Sequence, residues 1–185
     1  MTTLQKLASQ ASGCELCALS ETRNRVVFGS GNPRAAVFLI GEAPGRNEDE
    51  GGEPFAGQAG RVLNEALAAA GLERRDLYIA NVLKCRPPKN RNPKREEIAS
   101  CRPWLEQQLT LVDPVVVVPM GNFALRLFQK DAPPISKARG VPFDSKGRTV
   151  LPIFHPAAIL YNRSLEGTFR EDFARIAKIG SSLQR

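Results

Sequence analysis

The sequence predicts an α/β fold: a mainly parallel, four-stranded sheet with helices on both faces. Two observations carry that prediction. Four short apolar runs recur at 36–40, 77–80, 115–118 and 150–154, nearly continuous rather than alternating, which is the pattern of strands buried on both faces. Helix-like segments separate them, and strands alternating with helices give crossovers and a parallel sheet. No linker-like composition divides the 185 residues. One domain over 1–185 is therefore expected, long enough for a real core.

Leu4 to Ala11 reads as a short first helix. Ala36-Val37-Phe38-Leu39-Ile40 is the first strand and runs into Gly41-Glu42-Ala43-Pro44-Gly45. Gln58 to Ala70 is rich in Ala and Leu and stops at Gly71, a good helix terminator. Leu77-Tyr78-Ile79-Ala80 is the second strand and ends at Asn81. Pro93 to Leu109 reads as a helix with Asn92 as N-cap and Pro93 in its first position. Val115 to Val118 is the third strand, followed by a shorter helix from Gly121 to Phe128. Residues 132–147 read as loop with room for a short strand. Val150-Leu151-Pro152-Ile153-Phe154 is the fourth strand and runs into His155-Pro156. Thr168 to Ile179 sets Phe169, Phe173, Ile176 and Ala177 on one face and closes the chain as a helix.

In an open parallel sheet, ligands bind outside the carboxyl ends of the strands. A carboxylate (Glu42), an amide (Asn81) and the only imidazole in the chain (His155) would therefore meet in one crevice. Two familiar nucleotide loops are absent. There is no GxxxxGK[ST], and Gly29-Ser30-Gly31 precedes the first strand instead of following it.

The net charge is +7, with an isoelectric point near 9.6, a balance that favours polyanionic partners. Lys84 to Arg95 holds six basic residues and no acid. That loop suits a phosphate-tracking surface, because Lys and Arg displace the counterions condensed on nucleic acid. Acids cluster instead at Glu48-Asp49-Glu50 and Glu53. No run of eighteen apolar residues spans a membrane, and no basic-then-apolar leader opens the chain. A cytoplasmic protein is expected.

Cys14 and Cys17 form a C-x-x-C, and Cys85 and Cys101 complete a set of four. Four thiolates suit a zinc ion or a [4Fe-4S] cluster equally by spacing. Disulfides are an alternative that an intracellular chain of this size does not need. A redox C-x-x-C would follow a strand, whereas this one precedes the first. Unrelated buried cysteines are the remaining alternative. A four-thiolate site would staple the N-terminal arm to the basic loop and to the helix after it.

Taken together, five segments resemble the uracil-DNA glycosylase superfamily, and within it the iron–sulfur family called family 4. They are Gly41-Glu42-Ala43-Pro44-Gly45, Pro54-Phe55-Ala56-Gly57, Asn81-Val82-Leu83-Lys84-Cys85-Arg86-Pro87-Pro88, Cys101-Arg102-Pro103-Trp104-Leu105 and His155-Pro156-Ala157-Ala158. The resemblance covers the chain from Cys14 to the last helix. It implies a three-layer α/β/α sandwich, a [4Fe-4S] cluster on Cys14, Cys17, Cys85 and Cys101, and removal of uracil from DNA. No Lys in a motif position suggests a Schiff-base lyase, so a monofunctional enzyme is expected, and one domain acting alone on DNA, a monomer, is the default.

The residues can do that chemistry. A base inside a duplex must be flipped out or met single-stranded. Phe55, which by type alone suits a core, would stack on it. Asn81 carries donor and acceptor on one amide and would read uracil N3–H and O4. His155 would donate to uracil O2 as negative charge develops there. The classical relatives carry Gly-Gln-Asp-Pro-Tyr at the first motif, with the aspartate as proposed water activator. Ala43 stands at that position here, so this role does not carry over and Ala43 only lines the pocket. Glu42 would orient or deprotonate water, or hold the loop. Glu48 is a second candidate carboxylate, set to bridge to Asn90 on the facing loop. The run from Ala157 to Arg163 would enter the duplex, unless Ile159 and Leu160 pack inward as an ordinary helix start. A non-catalytic or weakly active uracil-DNA-binding module of the same fold is the alternative reading, and a redox protein a third.

Overall fold

The computed structural model describes residues 3–182. The chain runs through α1 (Thr3–Ser12), β1 (Ser30–Gly31), β2 (Val37–Gly41), α2 (Arg46–Gly51), α3 (Gln58–Ala69), β3 (Tyr78–Asn81), α4 (Arg95–Val112), β4 (Val116–Pro119), α5 (Asn122–Leu125), α6 (Ile135–Ala138), β5 (Phe143–Ser145), β6 (Arg148–Val150), α7 (Pro156–Tyr161) and α8 (Glu166–Ser182). The six strands form one sheet in the order β1-β3-β2-β4-β6-β5.

The four expected strands are the parallel centre of this sheet. Phe38 pairs with Tyr78 and Val117, and Val117 pairs with Val150. Successive side chains on these strands point to opposite faces, and both faces are covered. Val37, Leu39, Ile79, Val116 and Val118 pack on one face with Leu63 and Leu67 of α3, Ile159 of α7 and Phe169 and Phe173 of α8. Phe38, Ile40, Tyr78, Ala80 and Val117 pack on the other with Leu105 and Val112 of α4, Ala124 of α5 and Leu4 of α1. That double burial is why the strands read as unbroken apolar runs.

Two short antiparallel strands extend the sheet beyond the expected four. β1 pairs with β3 through Ser30 and Gly31; two small residues carry no periodicity to read. β5 pairs with β6 across Lys146 and Gly147, whose φ values are both positive, 55° and 77°. That is the two-residue hairpin turn whose twist matches paired strands. The segment 132–147 thus holds a helical turn and a strand. The fourth strand begins two residues earlier than expected, at Arg148. Pro152 has no N–H to give the ladder, and pairing resumes as a bridge between Met120 and Ile153.

The helix α4 starts at Arg95, not Pro93, because Glu97 sets its first turn by accepting from the Lys94 N–H at 2.8 Å. Among the described residues no helix is long and apolar enough to cross a membrane.

Candidate functional site

A cleft of about 560 Å³ opens at the carboxyl ends of the parallel strands. Glu42, Ala43, Glu48, Phe55, Asn81, Asn90 and His155 all line it, so every base-site candidate faces one space. Arg91 and Asn92 of the basic loop and Tyr161 of the run after His155 line it as well.

Asn81 ends β3 and is 2% exposed, and among the described residues its Oδ1 is buried without a hydrogen-bond partner. A buried unpaired acceptor costs about 1–3 kcal/mol, a cost that a ligand N–H would remove. Phe55 lies beside it. A Cβ on Gly41 would come within 2.3 Å of Asn81 Oδ1 and 2.5 Å of Phe55 Cζ, so only glycine lets the amide and the ring close over the end of β2. Phe55 adopts a left-handed φ of 55°, and its ring centroid lies 5.6 Å from that of His155.

His155 is the N-cap of α7, and its Nδ1 accepts the Ala157 N–H at 3.2 Å. The ring proton of the neutral form is therefore on Nε2. Loss of solvation lowers the His155 pKa to about 4, so the imidazole is neutral at physiological pH. Glu42 has the opposite shift: burial raises its carboxyl above the ordinary value.

Glu48 and Asn90 face the same cleft but hold other partners. Glu48, on α2, accepts the Gly57 N–H at 2.8 Å. Asn90 has a φ of 55° and accepts from Arg86 Nε at 2.7 Å. The basic loop around Asn90 is anchored by Arg91, whose guanidinium grips the Glu97 carboxylate at 2.9 and 2.5 Å.

Beside this cleft, the four cysteines ring a second cavity with Leu16, Leu19, Val26, Leu83 and Trp104. All are free thiols; Cys85 and Cys101 are buried. Burial pushes the Cys85 thiol up to about 12 and raises Cys101 also, so thiolate formation here needs a cation to drive it. Three N–H groups point at sulfur. Trp104 Nε1 lies 3.2 Å from Cys14 Sγ, the Lys84 N–H donates to Cys101 Sγ at 3.2 Å, and an Arg23 nitrogen lies 3.6 Å from Cys85 Sγ. Apolar walls, an all-sulfur donor set and N–H···S contacts suit an iron–sulfur cluster. The thiols line the cavity wall without meeting at a point. Among the described residues no three His, Cys, Asp or Glu side chains gather as they would around one ion.

The start of α7 packs as a helix. Ile159 is fully buried and Leu160 packs against the core. Tyr161 stands outward at the cleft rim, 92% exposed.

Fold and site together define a parallel-sheet domain with an aromatic ring and a buried, unpaired amide in one cleft at the strand ends, beside a cationic loop, a class of site suited to a planar polar ligand. The comparisons with known proteins agree with that class. Residues 28–178 match the model of the uracil DNA glycosylase superfamily. The type-4 uracil-DNA glycosylase of Archaeoglobus fulgidus is 41% identical over 97% of this chain and 94% of its own length. That of Thermotoga maritima is 42% identical over 88% of this chain and 86% of its own. The type-5 uracil-DNA glycosylase of Thermus thermophilus is 33% identical over 71% of this chain and 68% of its own. The chain belongs to the uracil DNA glycosylase superfamily, with the type-4 enzymes.

Proposed function

We propose that this protein is a monofunctional uracil-DNA glycosylase, cutting the N-glycosidic bond of uracil in DNA and leaving an abasic site. The observation that carries this reading is the buried, unpaired Asn81 Oδ1 beside the Phe55 ring. An amide there accepts uracil N3–H with Oδ1 and donates to O4 with its nitrogen. Cytosine reverses both groups and leaves buried atoms unpaired.

Phe55 stacks on the flipped base. As the bond from C1′ to N1 breaks, its electron pair leaves with uracil and the sugar becomes positive. The neutral His155 donates Nε2–H to the charge growing at O2, a preorganised contact that strengthens as the bond breaks. A water molecule oriented by Glu42 attacks C1′ and passes its proton to that carboxylate, whose raised pKa fits it to accept one. Such a sugar cation takes a water without a strong base. Glu48 and Asn90 hold the two loops that close over the base.

Cys14, Cys17, Cys85 and Cys101 would hold a [4Fe-4S] cluster, which when bound ties the N-terminal arm, the basic loop and α4 into one body. The basic residues of 84–95 follow the DNA backbone. The protein acts as a monomer of one domain in the cytoplasm, where thiols stay reduced.

The test is excision from a labelled single-stranded oligonucleotide carrying one uracil, followed by alkali, with thymine and cytosine controls. Uracil-specific breakage that needs alkali is expected. Binding of that oligonucleotide without breakage by the cluster-loaded protein would replace the enzyme with a uracil-DNA-binding module.

A further inference from the structure

We infer that Arg74, which lies outside the cleft, is a positioning residue for the stacking ring of Phe55, an inference that rests on the glycosylase reading above. Phe55 is an aromatic residue held in the left-handed region, where bulky side chains rarely settle unless their surroundings impose it. Two elements impose it here. Arg74 donates to the Pro54 carbonyl at 3.0 Å and to the Phe55 carbonyl at 2.7 Å, and its Nε donates to Asn64 Oδ1 of α3 at 2.8 Å. From the other side α3 presses close: a Cβ on Gly60 would lie 1.7 Å from the Phe55 carbonyl oxygen.

The guanidinium is committed to this task. Its planar fork reaches two successive carbonyls and an amide together, which a lysine cannot do. Arg74 sits on the short 3-10 turn leading into β3, and that turn is locked by the Glu73 N–H on Asp76 Oδ2 at 2.8 Å. The strand that follows ends in Asn81. One segment therefore fixes both walls of the base site: the amide directly, and the ring through Arg74. Spacing between ring and amide is set by the geometry of the turn, and not by the Pro/Gly-flanked loop that carries Phe55 alone.

The experiment is a double-mutant cycle on the cluster-loaded protein. Single-turnover excision of uracil from single-stranded DNA, and inhibition of excision by free uracil, are measured for the wild type, Arg74→Met, Arg74→Lys, Phe55→Ala and the Phe55→Ala/Arg74→Met pair. Misplacing a stacking group by a fraction of an ångström to an ångström slows chemistry by roughly tenfold to a hundredfold. Arg74→Met is expected to show such a loss and a matching rise in the uracil concentration needed to inhibit, with KM for DNA little changed. Arg74→Lys should not restore either. In the Phe55→Ala background Arg74→Met should add nothing, the signature of one residue acting through another. Fully additive losses, or wild-type rate and inhibition in Arg74→Met, would overturn the assignment. If Arg74→Met does not fold, Asn64→Leu, which frees only Nε, serves as the partner in the same cycle. A wild-type protein that excises nothing would refute the glycosylase reading by itself. The cycle is then read as affinity for the uracil oligonucleotide, with additivity or its failure deciding as before.

Discussion

The Lys84 ammonium donates to the main-chain carbonyl of Asn81 at 2.9 Å, from a position only 1% exposed. It also donates to Gln108 Oε1 and lies 5.9 Å from the centre of the Phe28 ring. Gln108 in turn donates to the Phe28 carbonyl at 2.8 Å and to the Tyr78 hydroxyl at 3.3 Å. The Lys84 N–H meanwhile donates to Cys101 Sγ. A continuous buried network therefore joins the thiol cavity to the main chain of Asn81. Lys84→Met would leave the Asn81 carbonyl and Gln108 Oε1 without their donor, at about 1–3 kcal/mol each, offset in part because a buried charge is removed. Uracil excision is expected to fall by roughly tenfold while the visible cluster absorbance persists. Single-turnover rates and absorbance spectra check this, and a wild-type rate would show that the network does not hold Asn81.

In the proposed reaction, His155→Ala removes the donor to the leaving base. Deleting such a donor costs roughly a hundredfold or more in the chemical step, because the contact strengthens only as charge develops. DNA binding should change little. Single-turnover cleavage of bound DNA, set against binding by anisotropy, separates the two. Collapsed binding with unchanged cleavage would contradict the role given to His155.

The pH behaviour of that residue has a definite sign. His155 is held neutral down to about pH 4, below the ordinary 6.5 of a free imidazole. Between those values the unfolded chain binds the proton and the folded one does not, so folding stability rises with pH through that window and is lost as pH falls. Excision should show no loss near pH 6.5 from His155. The chain has one histidine, so its imidazole resonances in NMR are unique, and a midpoint near 6.5 in the folded protein would refute the burial argument.

Much of this site was legible in the sequence because its residues sit where strands end. Glu42, Asn81 and His155 each follow an apolar run, and a parallel sheet brings such ends together. Phe55 was readable only through the resemblance, since a phenylalanine by type suits a core; what sets it apart is its φ, which no composition reveals. Arg74 was invisible because its partners are main-chain carbonyls. β1 and β5 escaped because they are two and three residues long and take their pairing from neighbours. The start of α4 was misplaced because Asn92 and Pro93 offered the commoner capping signal, while the Glu97 side chain, fixed by Arg91, set the actual boundary.

Cys85→Ala should loosen the basic loop. Cys85 lies at the junction of β3 and that loop, buried against Leu19, Leu83 and Cys101. Losing one of four thiolates would remove a ligand of the proposed cluster, and cluster binding is folding free energy for the segments it ties together. The variant is expected to lose iron, melt at lower temperature and bind single-stranded DNA more weakly, with the loss greatest at low salt where Lys and Arg contacts to phosphate count most. Iron analysis together with DNA affinity over a salt series tests it. Intact iron content and intact affinity would remove the structural role given to the cysteines.

Tyr161→Ala is expected to separate work on duplex from work on single strands. Within the run expected to enter DNA, Ile159 is fully buried and Leu160 is packed against the core, which leaves Tyr161, 92% exposed, as the side chain free at the cleft rim. An exposed aromatic ring beside a base pocket can take the place of the flipped nucleotide in the stack, and stacking of this kind is worth about 1–3 kcal/mol per base. In a duplex, extrusion also breaks a pair and two stacks, so the ring stabilises a state the DNA would not otherwise populate. A single strand needs no such help. Tyr161→Ala is therefore expected to slow excision from a U·A duplex by roughly tenfold, by the stacking energy above, and excision from a single strand far less, with Tyr161→Phe close to wild type because the ring and not the hydroxyl carries the effect. Parallel single-turnover assays on the two substrates decide it. Equal losses on both would move the ring's role from opening the duplex to binding the strand.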